Sequence, residues 1–301
     1  SAPGSLMLLG EHAVLHGYRS MVCAINRRIT VRLTPSGDNI VRIISTLGKY
    51  QSPIDNLVDH PSFRFVLQAV RQYEDAVSTG FELQIESEFS ADIGFGSSAA
   101  VTVSVHAALF RWIMGAVPDQ EELFFRSLET IKAVQGRGSG ADISASVFGG
   151  VVGYSTDPEF YPLELSAPLT AVYCGYKTPT PEVILKVEQL RAEDPEKYAC
   201  IYKEIDLLVM KAVEALNRQD LSTFGSIMSR NHELMDQMGV NTPELQEIVS
   251  ALDASPDLFG SKISGAGLGD CVIGLGHAEL SNLDYPVYHL EITPVGCIFH
   301  E

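Results

Sequence analysis

Two glycine-rich segments in opposite halves of the chain, Asp92-Ile-Gly-Phe-Gly-Ser-Ser-Ala-Ala100 and Lys262-Ile-Ser-Gly-Ala-Gly-Leu-Gly-Asp-Cys271, constrain the fold more than any other feature. Glycine reaches backbone conformations closed to other residues and puts no Cβ in the way of an approaching ligand. After the first segment Val101, Val105, Ala108, Leu109 and Ile113 fall on one helical stripe, over a length few strands reach. The stretch Val-Thr-Val-Ser-Val also alternates like a strand, but the longer periodicity predicts a helix beginning near Ser97. A glycine turn emptying into a helix N-terminus aims free N–H groups and the positive dipole end at one spot, where an anion binds. Ser97 and Ser98 can cap that helix or offer a hydroxyl to a metal on bound phosphates. No lysine follows the glycines, so this is not a Walker loop.

Taken singly, each segment has an ordinary structural reading, a helix cap in one case and a β-turn or bulge before a strand in the other. Together they describe a cleft gripping a polyphosphate from both sides. A third element, Gly136-Arg-Gly-Ser-Gly-Ala-Asp142, sets a carboxylate just after a flexible loop. An acid beside phosphate-binding amides makes electrostatic sense if it handles a proton or a cation; a solvated loop aspartate is the plain alternative.

Around these loops strand and helix patterns alternate. Met21 to Leu33, Asn39 to Ser45 and Phe81 to Ser87 read as strands, and Pro61 to Tyr73 as a helix with Phe65, Val66, Ala69 and Val70 on its apolar face. Gln120 to Gln135 reads as a helix and Ala145 to Tyr154 as a glycine-interrupted strand. A polar, proline-rich passage from Pro158 to Pro168 is the expected boundary between units 1–163 and 164–301. Beyond it come a strand at Leu169 to Gly175, helices at Glu182 to Arg191, Ile201 to Asn217, Leu221 to Met238 and Pro243 to Asp253, and strands near Cys271 and Tyr288. The alternation indicates an α/β or α+β chain of one large or two ordinary domains.

Charge narrows the partners. A net charge of −17 argues against nucleic acid and anionic membrane, which both require a positive field. It leaves anionic substrates open, since a ring of amides outweighs the global field at short range. The five cysteines are widely spaced, flanked by apolar residues and free of CxxC or His/Cys metal spacing, which predicts buried free thiols in a reducing cytoplasm. No apolar run approaches the length of a membrane span and no leader pattern is evident, so a soluble protein is expected.

The opening Ser1-Ala-Pro-Gly-Ser-Leu-Met-Leu-Leu-Gly-Glu-His-Ala-Val-Leu-His-Gly17 resembles the first motif of the GHMP kinases, in the form found in mevalonate kinases. The 94–100 loop is similar to the second motif of that superfamily and the 262–271 loop to its third. Ser139-Gly-Ala-Asp142 matches the place of its catalytic aspartate. Asn231-His-Glu-Leu, Gly239-Val and Pro243-Glu-Leu245 resemble a stretch common in mevalonate kinases.

The resemblance implies an α+β, two-domain GHMP kinase fold, with a left-handed βαβ crossover in the N-terminal domain and a ferredoxin-like C-terminal domain. It implies ATP and Mg2+ as cofactors, mevalonate as small-molecule substrate and a homodimer; the residues themselves carry no signal for the dimer. By similarity Gly94, Phe95, Gly96, Ser97, Ser98, Ala99 and Gly267 bind the ATP phosphates, and Ser98 (or Ser97) reaches magnesium. Asp142 orients or deprotonates the C5 hydroxyl of mevalonate, and Glu11, His12, Thr180, Ser264, Gly265 and Ala266 line the acceptor site. His106 is expected in the core, and Lys262 either near phosphate or on the surface.

Three departures stand out. Ser5 occupies the place of the family's lysine, and Ile131 that of a magnesium-binding glutamate. Glu129 lies two residues away, which on a helix turns it by about 200°. Asp270 resembles phosphomevalonate kinases instead. The expectation is that Arg137 supplies part of the missing positive charge. The alternatives are a phosphomevalonate kinase, a GHMP kinase for another alcohol, and a non-catalytic nucleotide- or metabolite-binding protein with a decayed kinase site.

Overall fold

The computed structural model describes residues 1–157, 159–280 and 283–300. The first sheet has seven strands, β1 (Ala2–Leu9), β2 (Ser20–Pro35), β3 (Ile40–Ser45), β4 (Gly48–Pro53), β5 (Phe81–Ser87), β6 (Val151–Tyr154) and β7 (Phe160–Leu163). Their order is β4-β3-β5-β2-β6-β7, with β1 paired to β2. All pairs are antiparallel except β3 with β5, which are joined through β4 and helix α1 (Arg64–Arg71). Helices α2 (Ser97–Met114) and α4 (Ala141–Phe148) pack on β1 and β2, and α3 (Gln120–Gln135) packs over α1, α2 and α4. The second sheet is antiparallel, in the order β11 (Val287–Leu290), β8 (Leu169–Tyr173), β10 (Cys271–Gly276), β9 (Leu258–Ser264). Helix α5 (Thr180–Glu193) packs on α6 (Pro195–Asn217), α6 on α7 (Leu221–Gln237) and the first sheet, and α7 and α8 (Pro243–Asp253) on the second sheet. The fold is α+β, and one buried cluster runs from Leu6 and Phe95 of the first unit to Phe224, Ile263 and Val272 of the second.

Several expectations change. Ala145 to Tyr154 is not one strand: helix α4 runs to Phe148, and β6 begins only at Val151. Gly149 and Gly150, with φ of 76° and 64°, make the break that periodicity alone reads as a strand interruption. Helix α6 starts at Pro195, well before Ile201, because Asp194 caps it by accepting from Lys197 N and proline suits the first turn. Cys23, Cys174 and Cys271 are buried thiols, but Cys200 is exposed and Cys297 partly so. Of the boundary passage, Pro158 lies outside the described residues. The chain end, grouped by sequence with the C-terminal unit, returns to the first sheet: Thr293 N donates to Ala24 O, Gly150 N to Thr293 O, and Ile298 N to Ser1 O.

Candidate active site

Asp142 stands in the first turn of α4, two residues after Gly140, whose φ of 93° turns the chain into the helix. Its Oδ1 accepts a hydrogen bond from Ser5 Oγ at 2.8 Å. Ser5 N donates to Phe95 O at 3.1 Å, so one residue of β1 fastens both the aspartate and the first glycine loop. Desolvation holds the Asp142 carboxyl above the usual carboxylate range; the Ser5 hydroxyl and the Lys177 ammonium oppose that rise.

The glycine loop fits its surroundings closely. Gly94 and Gly96 take φ of 74° and 65°. A Cβ on Gly96 would meet Ser5 Oγ at 2.0 Å, and one on Gly94 would meet Asp270 Cγ at 3.1 Å. Helix α2 follows with no side-chain cap, whereas Asp119, Asp194, Asp220 and Thr242 cap α3, α6, α7 and α8. Helices α1, α4 and α5 lack such a cap too, but at α2 the first-turn residues Ser97 and Ser98 line a cavity, where free amides can meet a ligand.

Two cavities meet at this helix end. One of about 140 Å³ is walled by His12, Asp142, Gly265, Ala266 and Arg137 with apolar neighbours such as Met7 and Ile131. The other, about 520 Å³, has Asp92, Ser97, Ser98 and Lys177 on one side and Phe63, Phe65 and Ile85 on another. Ser98, Gln135 and Thr180 border both, making one continuous cleft.

The third-motif loop closes it from the second unit. Gly265, Gly267, Leu268, Gly269 and Asp270 all have positive φ. The loop is pinned by Asp270 N to Tyr176 O (2.9 Å), Cys174 N to Asp270 O (3.0 Å) and Leu268 N to Val240 O (2.8 Å). Asp270 sits between the two glycine loops, its Oδ2 4.0 Å from where a Cβ on Gly265 would lie. Its Oδ1 is buried without a hydrogen bond, with Lys177 Nζ 3.5 Å away. Burial pushes its carboxyl up to about 6, Lys177 opposes this, and Asp142 and Asp92 add to it.

His12 joins the first motif to the third. Its φ of 57° and ψ of −48° make it the centre of a γ-turn, closed by Ala13 N on Glu11 O at 2.6 Å. That conformation is rare and costs about 1–3 kcal/mol, so it persists where surroundings over-determine it. His12 Nε2 donates to Ala266 O at 2.8 Å; burial lowers its pKa and that hydrogen bond opposes the shift.

Behind the cleft lies a fully buried ion pair. Lys262 Nζ contacts a Glu11 carboxylate oxygen and the Ile263 carbonyl, and Asn231 Nδ2 donates to the other Glu11 oxygen at 3.2 Å. Desolvation raises Glu11 and lowers Lys262, and each partner opposes the other's shift. Lys262 is thus neither on the surface nor beside phosphate. The stretch from Asn231 to Val240 has a structural reason: Asn231 holds Glu11, and Val240 holds the third loop.

The predicted residues divide accordingly. Asp142, His12, Thr180, Gly265, Ala266, Ser97, Ser98 and Ala99 come together in the cleft wall. Glu11 borders the smaller cavity, but its carboxylate is committed to Lys262 and Asn231. Ser264 is buried behind the wall, its hydroxyl donating to Met7 O at 3.2 Å, because β9 alternates and turns it toward β1. The side chain of Phe95 points into the core against Tyr288, and Gly267 packs on Val240. Arg137 lines the smaller cavity, with its field falling on His16. His106 is a core residue, bonded to Thr130 and Tyr73. Magnesium takes hard oxygen donors; at the helix end Ser98 offers a hydroxyl, while Ile131 offers none and packs against Gly138. Sequence reasoning missed Lys177, whose signal was a lone basic residue between β8 and Thr180.

A fold of this kind, with an uncapped helix end and an aspartate sharing one cleft, defines a small-molecule phosphotransferase, and the chain belongs to the GHMP kinases. The model for the GHMP kinases N terminal domain matches residues 64–150, and that for GHMP kinases C terminal matches 212–283. A galactokinase galactose-binding signature matches residues 1–35. Among relatives, a mevalonate kinase of Archaeoglobus fulgidus is 33% identical, covering 93% of this chain and 92% of its own. One from Aeropyrum pernix is 30% identical, covering 91% and 87%. The crystal structure of Methanococcus jannaschii mevalonate kinase superposes with a TM-score of 0.82 at 25% identity, covering 97% of this chain and 96% of that one.

Proposed function

We infer that this chain transfers the γ-phosphoryl group of ATP to the C5 hydroxyl of mevalonate. The observation that carries the reading is the shared cleft: Asp142 and the uncapped start of α2 face one space through Ser98. The larger cavity takes ATP, its nucleoside among Phe63, Phe65 and Ile85 and its phosphates at Ser97 and Ser98. The smaller takes the acceptor beside His12, Thr180 and Ala266. Ser98, with ATP oxygens and water, would hold magnesium, which neutralises phosphate charge when bound. The C5 oxygen forms a bond to the γ-phosphorus as the bond to the β–γ bridging oxygen breaks, and the hydroxyl proton passes to Asp142. ADP carries away the leaving electron pair. Phosphoryl transfer needs positioning and charge neutralisation more than covalent help, and both loops are rigidly held.

Arg137 is the cation among the residues lining the smaller cavity, and one guanidinium matches the single carboxylate of mevalonate. A phosphorylated acceptor would bring more negative charge to the same wall. Work in the cytoplasm fits the free thiols of Cys23, Cys174 and Cys271. Among the described residues no helix is long and apolar enough to cross a membrane. The test is ADP release with mevalonate, phosphomevalonate, homoserine and galactose, with mass analysis of the product. Mevalonate should exceed the others in kcat/KM by at least about 100-fold, the scale of a pocket that pairs the acceptor's polar groups. Preference for another alcohol, or ATP binding without turnover on any, overturns the reading.

A further inference from the structure

Resting on the kinase reading above, we propose that Lys177 is the positioning cation of this active site, supplied from the second unit in place of the lysine that the family carries where Ser5 stands. Position 5 has no room for that charge. Ser5 is buried, its hydroxyl is spent on Asp142, and the Gly96 backbone closes over it. Lys177 reaches the cleft from the opposite side. It follows β8, lines the cavity beside Asp92, Ser97 and Ser98, and approaches Asp270 Oδ1 to 3.5 Å.

Its backbone is placed by the loop it serves. Asp270 N donates to Tyr176 O, Cys174 N to Asp270 O, and Thr178 Oγ1 to Leu268 O. The Lys177 side chain is therefore carried wherever the third-motif loop goes. Asp270 in turn packs against Gly94, whose loop Ser5 fastens beside Asp142. Lys177 thus serves a patch where Asp142, Asp270 and Asp92 converge and where a triphosphate would add more negative charge.

Arg137 and His12 line the smaller cavity with Asp142, Arg64 lines the larger with Lys177, and the remaining groups around this patch are neutral donors or thiols. Burial holds Cys23, Cys174 and Cys271 protonated, and likewise raises Tyr173. The cation whose field acts on Asp142 is Lys177. Without it a base and a polyphosphate would face each other with one cation fewer in a partly desolvated cleft. The arrangement also answers why Asp270 is tolerable between two phosphate loops: it anchors the ammonium.

The experiment compares Lys177→Met, Lys177→Arg and Arg137→Ala. For Lys177→Met, kcat should fall at least ~100-fold, the scale for removing one charge-stabilising donor. KM for the acceptor should change by less than about three-fold, because the lost interaction belongs to the transition state. The acid limb of kcat should move upward by about one pH unit, since removing a nearby cation raises a carboxyl pKa. Lys177→Arg should recover kcat to within about ten-fold, which a merely structural side chain would not require. Unchanged kcat and acid limb in Lys177→Met overturns the proposal, as does finding both effects in Arg137→Ala instead. A second readout does not depend on the acceptor: carboxyl-13C NMR titration of Asp142 in the unliganded protein. An upward shift in Lys177→Met supports the proposal even if the substrate is another alcohol, and no shift overturns it even if mevalonate is confirmed.

Discussion

Asp142 combines two opposing influences: burial raises its pKa, and the Ser5 hydroxyl at 2.8 Å lowers it. In the proposed role of base it must be ionised, so activity is expected to fall as pH drops through that raised value. Asp142→Asn should cost about 10²–10⁴-fold in kcat, the usual worth of a positioned base. Ser5→Ala removes an influence that favours the ionised form, so the acid limb of its pH–rate profile should lie above that of the parent. A limb that stays put would show that Ser5 only shapes the loop. Asp270 gives a stability test. A carboxyl raised to about 6 in the folded state destabilises the fold when ionised, and the penalty fades as pH falls through 6 and is gone below the unfolded value. Asp270→Asn should therefore be more stable than the parent at pH 8, by about 3 kcal/mol, and equal it below about pH 4. An advantage independent of pH would contradict this account. At this scale the sequence was informative for Asp142 and His12, since motif position names them. It was poor for Ser264, whose role depends on which way one strand residue faces.

Helix α2 and the loop before it act as one element. The loop has to leave room for Ser5 and Asp270 at a left-handed φ, and only glycine meets both demands. Gly96→Ala meets a 2.0 Å clash in addition to a left-handed φ of 65°. It should lower stability by more than about 2 kcal/mol, the conformational cost alone being roughly 1–2 kcal/mol, and raise the KM for ATP. Gly37→Ala, where nothing lies within 4 Å and φ is ordinary, serves as the comparison and should change neither. Equal urea midpoints for the two variants would refute the close-packing argument. Periodicity found α2 and α3 correctly because their apolar stripes are long. It misread α4, an eight-residue helix buried on nearly all sides, because complete burial erases the polar face that defines a period.

Across the whole molecule, Glu11, Lys262 and Asn231 tie the turn after β1 to β9 and α7 behind the cleft. Breaking such a pair leaves one charge buried alone and costs about 3–5 kcal/mol, whereas replacing both partners costs much less. Lys262→Met and Glu11→Gln should each destabilise by that order in urea unfolding, and the double variant should be more stable than the sum predicts. Strict additivity would mean the pair is not a unit. The sequence by itself determined the glycine turns, the aspartate after its loop, most long helices and the family, because these are written in contiguous residues. Only the tertiary structure decided that Lys262 serves Glu11 rather than phosphate, that the chain end returns to the first sheet, and that Lys177 approaches Asp270 at the edge of the cleft. Those facts are pairings between segments far apart in the chain. Burial and charge compensation select such partners in space, and no local pattern of residues records the choice.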